Sequence, residues 1–199
     1  MRILRSNLLR GFCALTVVAA APLHAQRAVV ARPDTAGAAF DHATPGSGAI
    51  SDYDFLIGEW DFTFQARDPA TGTYLAPQRG RWIAQKVKES LIADEFYYDV
   101  PGGRDASLMT YRVFDAARKQ WQVQGVRVRR GVWQPGISWS DPGARYLVQD
   151  NPERGLKVRI KYYAIGPDSF LWRADGSNDG GTTWMRDVML IEARRVGRP

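Results

Sequence analysis

The chain has 199 residues, with 27 Lys and Arg against 21 Asp and Glu, 45% hydrophobic residues and 24% charged residues. That size and balance fit one globular domain, or two at most. A single cysteine, Cys13, excludes an intrachain disulfide framework and a cysteine metal cluster, and the body of the chain holds no apolar run long enough to form a membrane-spanning helix.

The first segment reads as an address. Arg2, Arg5 and Arg10 precede an apolar stretch, Gly11 to Ala21, and Leu23-His24-Ala25 places a small residue before Gln26. A basic start, a short apolar region and a small-residue end make a secretory signal peptide over 1–25, so an exported, periplasmic or secreted protein is expected. Cleavage would remove three arginines and no acid, lowering the formal charge of +6 by three. Cys13 and His24 would leave with the peptide, and a chain without cysteine suits an oxidising compartment. Residues 26–50 are rich in Ala, Gly, Pro, Ser and Thr without an apolar period and read as a flexible leader that contains His42. The folded domain is therefore expected over 51–199, without His or Cys.

From Glu59 onward apolar residues recur with period two rather than about 3.6, the pattern of strands and not of helices. Trp60-Asp61-Phe62-Thr63-Phe64-Gln65 and Leu156-Lys157-Val158-Arg159-Ile160-Lys161-Tyr162 show it most clearly. Similar runs lie near 81–89, 92–99, 107–114, 119–129, 132–139, 144–149, 169–175 and 183–194, and a turn is expected at 51–58. Turn residues separate the runs, as at Pro101-Gly102-Gly103, Asp141-Pro142-Gly143 and Gly166-Pro167-Asp168. These signals predict an all-β fold of about eight to ten short strands, an antiparallel up-and-down barrel or a sandwich. Closing the sheet would remove its edges.

Two motifs carry resemblances. Asp52-Tyr53-Asp54-Phe55-Leu56-Ile57-Gly58-Glu59-Trp60 resembles the opening of lipocalin-like domains of the calycin group, and most closely that of an exported bacterial lipocalin-like family of unknown function. The resemblance implies that Gly58 allows a tight turn while the Trp60 indole plugs one barrel end. It also implies a basic residue of the last strand over that indole, for which Arg186 and Arg194 are the candidates. Some small lipocalin-like barrels, such as nitrobindins, hold haem through histidine; the domain has none, so no cofactor and no metal are expected. Ser177-Asn178-Asp179-Gly180-Gly181-Thr182-Thr183-Trp184 resembles the Asp-box of sialidase-like propellers. One box cannot make a propeller, so Ser177, Asp179, Gly181, Thr183 and Trp184 are expected to form a structural hairpin. The start of a calcium loop is mimicked at 175–180, but Arg186 stands where a bidentate acid is needed.

Chemistry that needs an imidazole or a thiolate has no residues here, and no phosphate-cradling glycine motif follows a strand. Carboxylate chemistry survives, with Asp94-Glu95 and Asp54/Glu59 as candidates, although adjacent acids on a strand face opposite ways. Arg127-Val128-Arg129-Arg130-Gly131 is the densest basic patch. With Trp121 and Trp133 nearby it suggests a single-stranded nucleic-acid groove, but a mildly basic exported protein argues against a nucleic-acid partner, and a solvated loop or an anionic envelope surface accounts for it. Parity puts Leu156, Val158, Ile160 and Tyr162 inside, with Trp121 and Val123, with Phe170, Trp172 and Ala174, and with Met109, Tyr111 and Val113. Tyr111, Trp121, Tyr162 and Trp172 are thus the candidate ligand-binding residues, and the same side chains would equally fill a solid core. The leading expectation is an exported barrel that carries a small, mostly apolar or aromatic molecule. A carboxylate enzyme acting on a small molecule or sugar, and a filled barrel acting as an envelope interaction module, are the alternatives.

Overall fold

The structure is a computed structural model and describes residues 45–152 and 155–197. The expected signal peptide, and the leader as far as residue 44, lie outside the described residues. A short 3-10 turn, Asp54–Leu56, precedes ten strands: β1 (Gly58–Ala66), β2 (Gln78–Lys88), β3 (Leu91–Val100), β4 (Gly103–Asp115), β5 (Gln120–Arg127), β6 (Val132–Asp141), β7 (Ala144–Asn151), β8 (Leu156–Tyr163), β9 (Ser169–Ser177) and β10 (Met185–Arg195). Each strand pairs antiparallel with its sequence neighbour, and β10 returns to β1, so the sheet closes as an up-and-down barrel. Closure satisfies both edges of every strand. The expected all-β barrel is the fold found.

Register follows the alternation. Trp60 of β1 lies opposite Trp82 of β2, which lies opposite Phe96 of β3, and all three are buried inside. Ile160, Ala174 and Ile191 continue the inner face on β8, β9 and β10. Close strand packing demands one glycine in particular. A Cβ at Gly80 would overlap the Tyr97 carbonyl oxygen and the Phe62 ring. Gly80→Ala is therefore expected to cost about 1–3 kcal/mol, as over-packing does elsewhere, and a urea midpoint equal to that of the unchanged chain would contradict this packing.

One end of the barrel is shut by the chain that precedes β1. Tyr53, Leu56 and Trp60 are fully buried there. Gly58 turns into β1 at φ 120°, where only glycine is unstrained, and a Cβ there would also strike the Arg195 guanidinium. Packing starts ahead of the expected boundary at Ser51: Gly48 N–H donates to the Lys119 carbonyl, and the Ala49 carbonyl accepts from the Trp121 indole at 3.0 Å. The 45–50 stretch is thus tied to β5 by backbone groups, which a reading of side-chain pattern does not register.

The cation over Trp60 is Arg195. Its guanidinium carbon stands 4.1 Å from the indole centroid, and its nitrogens donate to the Ile57, Phe55 and Pro167 carbonyls at 2.7–2.8 Å. This corrects the expectation of Arg186 or Arg194. Arg194 points outward and pairs with Glu192 at 2.6 Å, and Arg186 is exposed. Both faces of β10 are apolar, with Leu190 on the parity of outward Arg194 and with Met189 and Ile191 inside, so alternation alone does not choose the parity. The choice comes from the direct cross-strand pairing of Trp60 with Arg195.

Candidate functional site

Aromatic packing fills the end shut by Trp60, but not the other. A cavity of 110 Å³ occupies the half of the barrel where β1, β3, β5, β7 and β9 end. An engineered cavity of about 150 Å³ takes up benzene, so this space approaches the size of one aromatic ring. Its walls differ in chemistry. Phe64, Trp82, Phe96, Trp172, Met189 and Ile191 make an apolar, largely aromatic side. The strands β4 to β7 contribute a polar side of Thr110, Arg112, Arg127, Gln134, Gln149 and Asn151. Gly125 leaves room for the Gln149 amide, whose Nε2 donates to the Gln134 carbonyl at 2.7 Å.

At the floor of the cavity lies a buried ion pair. Asp94 of β3 is opposite Thr110 of β4, so Arg112, two residues along β4, is its diagonal neighbour on the inner face. The Arg112 guanidinium contacts the Asp94 carboxylate, with both side chains almost wholly excluded from water. Trp82 donates its indole N–H to Asp94 at 2.9 Å. Arg112 also donates to the Tyr162 hydroxyl at 3.2 Å and lies 4.9 Å over the Tyr53 ring, whose hydroxyl meets that of Ser138 at 2.5 Å. Among the buried polar atoms of cavity-lining residues, Arg112 Nε and Asn151 Oδ1 have no hydrogen-bond partner among the described residues. Leaving such groups unsatisfied is costly.

Burial pushes the Tyr162 phenol up to about 12, against the opposing pull of the Arg112 charge, and raises Tyr53 in the same direction. A phenol whose folded pKa exceeds its unfolded value near 10 stabilises fully below that value and loses the contribution as pH rises towards 12. Stability measured by urea is therefore expected to fall across that window, less steeply in Tyr162→Phe. An absorbance titration in which every tyrosine ionises near pH 10 would contradict the burial.

Of the four expected ligand residues, Tyr162 and Trp172 line the cavity. Trp121 points inward but is packed into the shut end, 5.4 Å from both Tyr53 and Phe114 by ring centroid. Tyr111 is on the outer face and 36% exposed, with Met109 and Val113, which corrects its expected inward orientation. On β4 the inner set is Thr110, Arg112 and Phe114, so the more polar parity faces inward and the apolar parity faces water. Arg112 was missed for that reason. The signal that would have found it is Asp94, a lone acid in an otherwise apolar strand phase that needs a buried cation on a neighbouring strand.

The candidate acids do not converge. Asp94 faces in, whereas Glu95 faces out and bonds the Tyr97 hydroxyl. Asp54 and Glu59 are engaged at the surface by Lys86 and Arg81 at 2.8 and 3.2 Å. Asp150 stands at the cavity rim, 59% exposed and 3.9 Å from Lys157.

The turn between β9 and β10 is held by Asp179. Its carboxylate accepts from the Thr183 hydroxyl at 2.6 Å, the Thr183 N–H at 2.9 Å and the Ser177 hydroxyl at 2.7 Å, and these bonds hold it well below the usual carboxylate range. Gly181 N–H donates to Ser177 at 2.8 Å, and Arg159 stacks 4.4 Å over Trp184. All of these groups serve the turn itself, and none of them lines the cavity.

An all-β closed barrel with an off-centre interior cavity defines a lipocalin-like, ten-stranded barrel protein. Two solved structures share that fold. One is an S-type phycobiliprotein lyase, CPES, from Guillardia theta, with 10% identity and a TM-score of 0.55 over 74% of this chain and 92% of that one. The other is Rv2717c from M. tuberculosis, with 9% identity and a TM-score of 0.52 over 76% and 100%. No protein-family model and no curated protein sequence matches the chain.

Proposed function

We propose that the protein binds a small, mostly apolar or aromatic molecule inside the barrel, as an exported carrier or receptor rather than an enzyme. The observation that carries this is the two-sided cavity. Aromatic side chains supply contact area on one wall, and a few convergent polar atoms on the other fix orientation, which is how small-molecule sites are built. At 110 Å³ the space suits a single ring bearing one polar substituent, placed to accept from Arg112 Nε or to donate to Asn151 Oδ1. The fold shared with the lyase is that of the closed barrel and carries no chemistry with it.

Native beside denaturing mass spectrometry on protein purified without added ligand tests the reading. The expected result is an extra mass that is lost on denaturation and absent from Trp172→Ala. A clean apo mass, together with an unchanged melting temperature in the presence of indole, phenol and benzoate, would overturn it. Among the described residues the interior carboxylate, Asp94, is occupied by Arg112 and Trp82. The arrangement therefore favours binding over paired-acid catalysis, which needs two carboxyl groups flanking the reacting bond.

A further inference from the structure

Exposed apolar side chains occur at both ends of the barrel. Nine large ones are exposed among the described residues, and five of these, Leu75, Val100, Val128, Trp133 and Met185, stand at the cavity end. Soluble proteins scatter such residues singly, as Leu75, Val100 and Met185 are in separate hairpins, whereas Val128 and Trp133 share the one between β5 and β6. The most exposed is Trp133, at 57%, one residue into β6. Val128, at 49%, is in the turn before it.

That β5–β6 hairpin is also the most basic part of the rim. Arg127, Arg129 and Arg130 occur within Arg127-Val128-Arg129-Arg130-Gly131-Val132-Trp133, with no acid among them. The turn is well defined: the Arg130 and Gly131 N–H groups both donate to the Arg127 carbonyl, and Gly131 takes a φ of 63°. Arg129 reaches Asp105 at 3.0 Å while its side chain stays 73% exposed. The tip thus offers guanidinium groups interleaved with an indole and a valine. Guanidinium forks match phosphate oxygens, and an indole favours the boundary between headgroups and acyl chains.

We propose that the cavity end of the barrel seats on an anionic lipid surface, led by the β5–β6 hairpin, with Trp133 and Val128 at the headgroup boundary and Arg129 and Arg130 against lipid phosphates. Charge complementarity selects this occupant: an apolar patch for a second copy of the chain would not call for a run of arginines that the copy must also present. Seating also brings the mouth of the cavity against an apolar phase, but the proposal does not depend on ligand binding and is tested without it.

The experiment is flotation of the full chain with vesicles of phosphatidylcholine containing phosphatidylglycerol, and with vesicles of phosphatidylcholine alone. Binding is expected to the first kind only, and to weaken with added salt. Each arginine near a charged membrane surface contributes about fivefold in affinity, so Arg129→Glu with Arg130→Glu is expected to lose well over tenfold. Trp133→Ser should also weaken binding, whereas Val87→Ser, exposed at the shut end, should leave it unchanged. Matched melting temperatures establish that each variant is folded. Failure to float with either vesicle, or flotation that ignores the hairpin substitutions, would overturn the proposal. Hairpin-dependent binding to a single-stranded oligonucleotide without flotation would overturn it in favour of a nucleic-acid surface, and a dimer dissolved by Trp133→Ser without flotation in favour of self-association.

Discussion

Removing one partner of the Asp94–Arg112 pair is expected to destabilise the barrel by about 3–5 kcal/mol, whereas replacing both by apolar residues of similar size should cost far less. Asp94→Asn keeps an acceptor for the Trp82 indole but strands the guanidinium in the barrel, where it is 2% exposed. Arg112→Met strands the carboxylate instead and also deprives the Tyr162 hydroxyl of a donor. The combination Asp94→Leu with Arg112→Met leaves no charge to desolvate. In a double-mutant cycle by urea denaturation, the double variant should therefore be more stable than either single one, and additive losses would show that the two groups are not coupled. The physical reason for expecting coupling is the environment. Both side chains face a region bounded by Trp82, Tyr53 and Tyr162, where attraction between charges is strong and an unpaired charge finds no water. A pair of this kind contributes little net stability, so its position on the cavity floor is better explained by what the cavity receives. The same variants separate the two roles. If the pair serves the site, the double variant folds and loses the native-state adduct; if it serves only the fold, the adduct is retained.

How far the sequence was legible depended on which side of each strand was chemically distinct. On β8 the alternation of Val158, Ile160 and Tyr162 with Lys157, Arg159 and Lys161 is unambiguous, and the inner and outer faces follow it. The same holds for Phe170, Trp172 and Ala174 on β9. About eight to ten strands in up-and-down order could be read because turns punctuate the chain regularly and the apolar period of two is that of strands. The cavity wall was not legible. There several polar residues face inward, so a rule that sends apolar residues inside inverts β4 and puts Tyr111 where Arg112 belongs. β10 failed differently: two apolar faces leave the parity open, and Arg195 was missed by one residue. Both errors fall where side chains answer to a partner across the barrel rather than to solvent. In the Asp179 turn local spacing does specify the hydrogen bonds, because every donor and acceptor lies within a few residues.

The shut end should prove the other large contributor to stability, and the tryptophans allow a controlled comparison. Trp60→Ala is expected to cost about 3–5 kcal/mol, the range for truncating a fully buried aromatic residue, while Trp133→Ala should stay within about 0.5 kcal/mol because its ring is mostly in water. Trp60 carries more than area. Its indole N–H donates to the Leu56 carbonyl at 2.8 Å, its ring meets Phe170 edge-on at 4.8 Å, and its face holds the Arg195 guanidinium. Arg195 in turn binds the Phe55 and Ile57 carbonyls, which belong to the segment that plugs the barrel. Truncating Trp60 therefore removes the surface that positions the cation, and the cation's three carbonyl bonds should loosen with it. Arg195→Lys isolates that second effect. Lysine keeps the charge and a cation–π contact but lacks the planar fork that reaches several carbonyls at once, so this variant should lose stability although charge is unchanged. Urea midpoints and near-ultraviolet circular dichroism on all three variants would check the scheme. An Arg195→Lys chain as stable as the original would mean that the plug is held by burial alone, with the guanidinium merely resting on the indole.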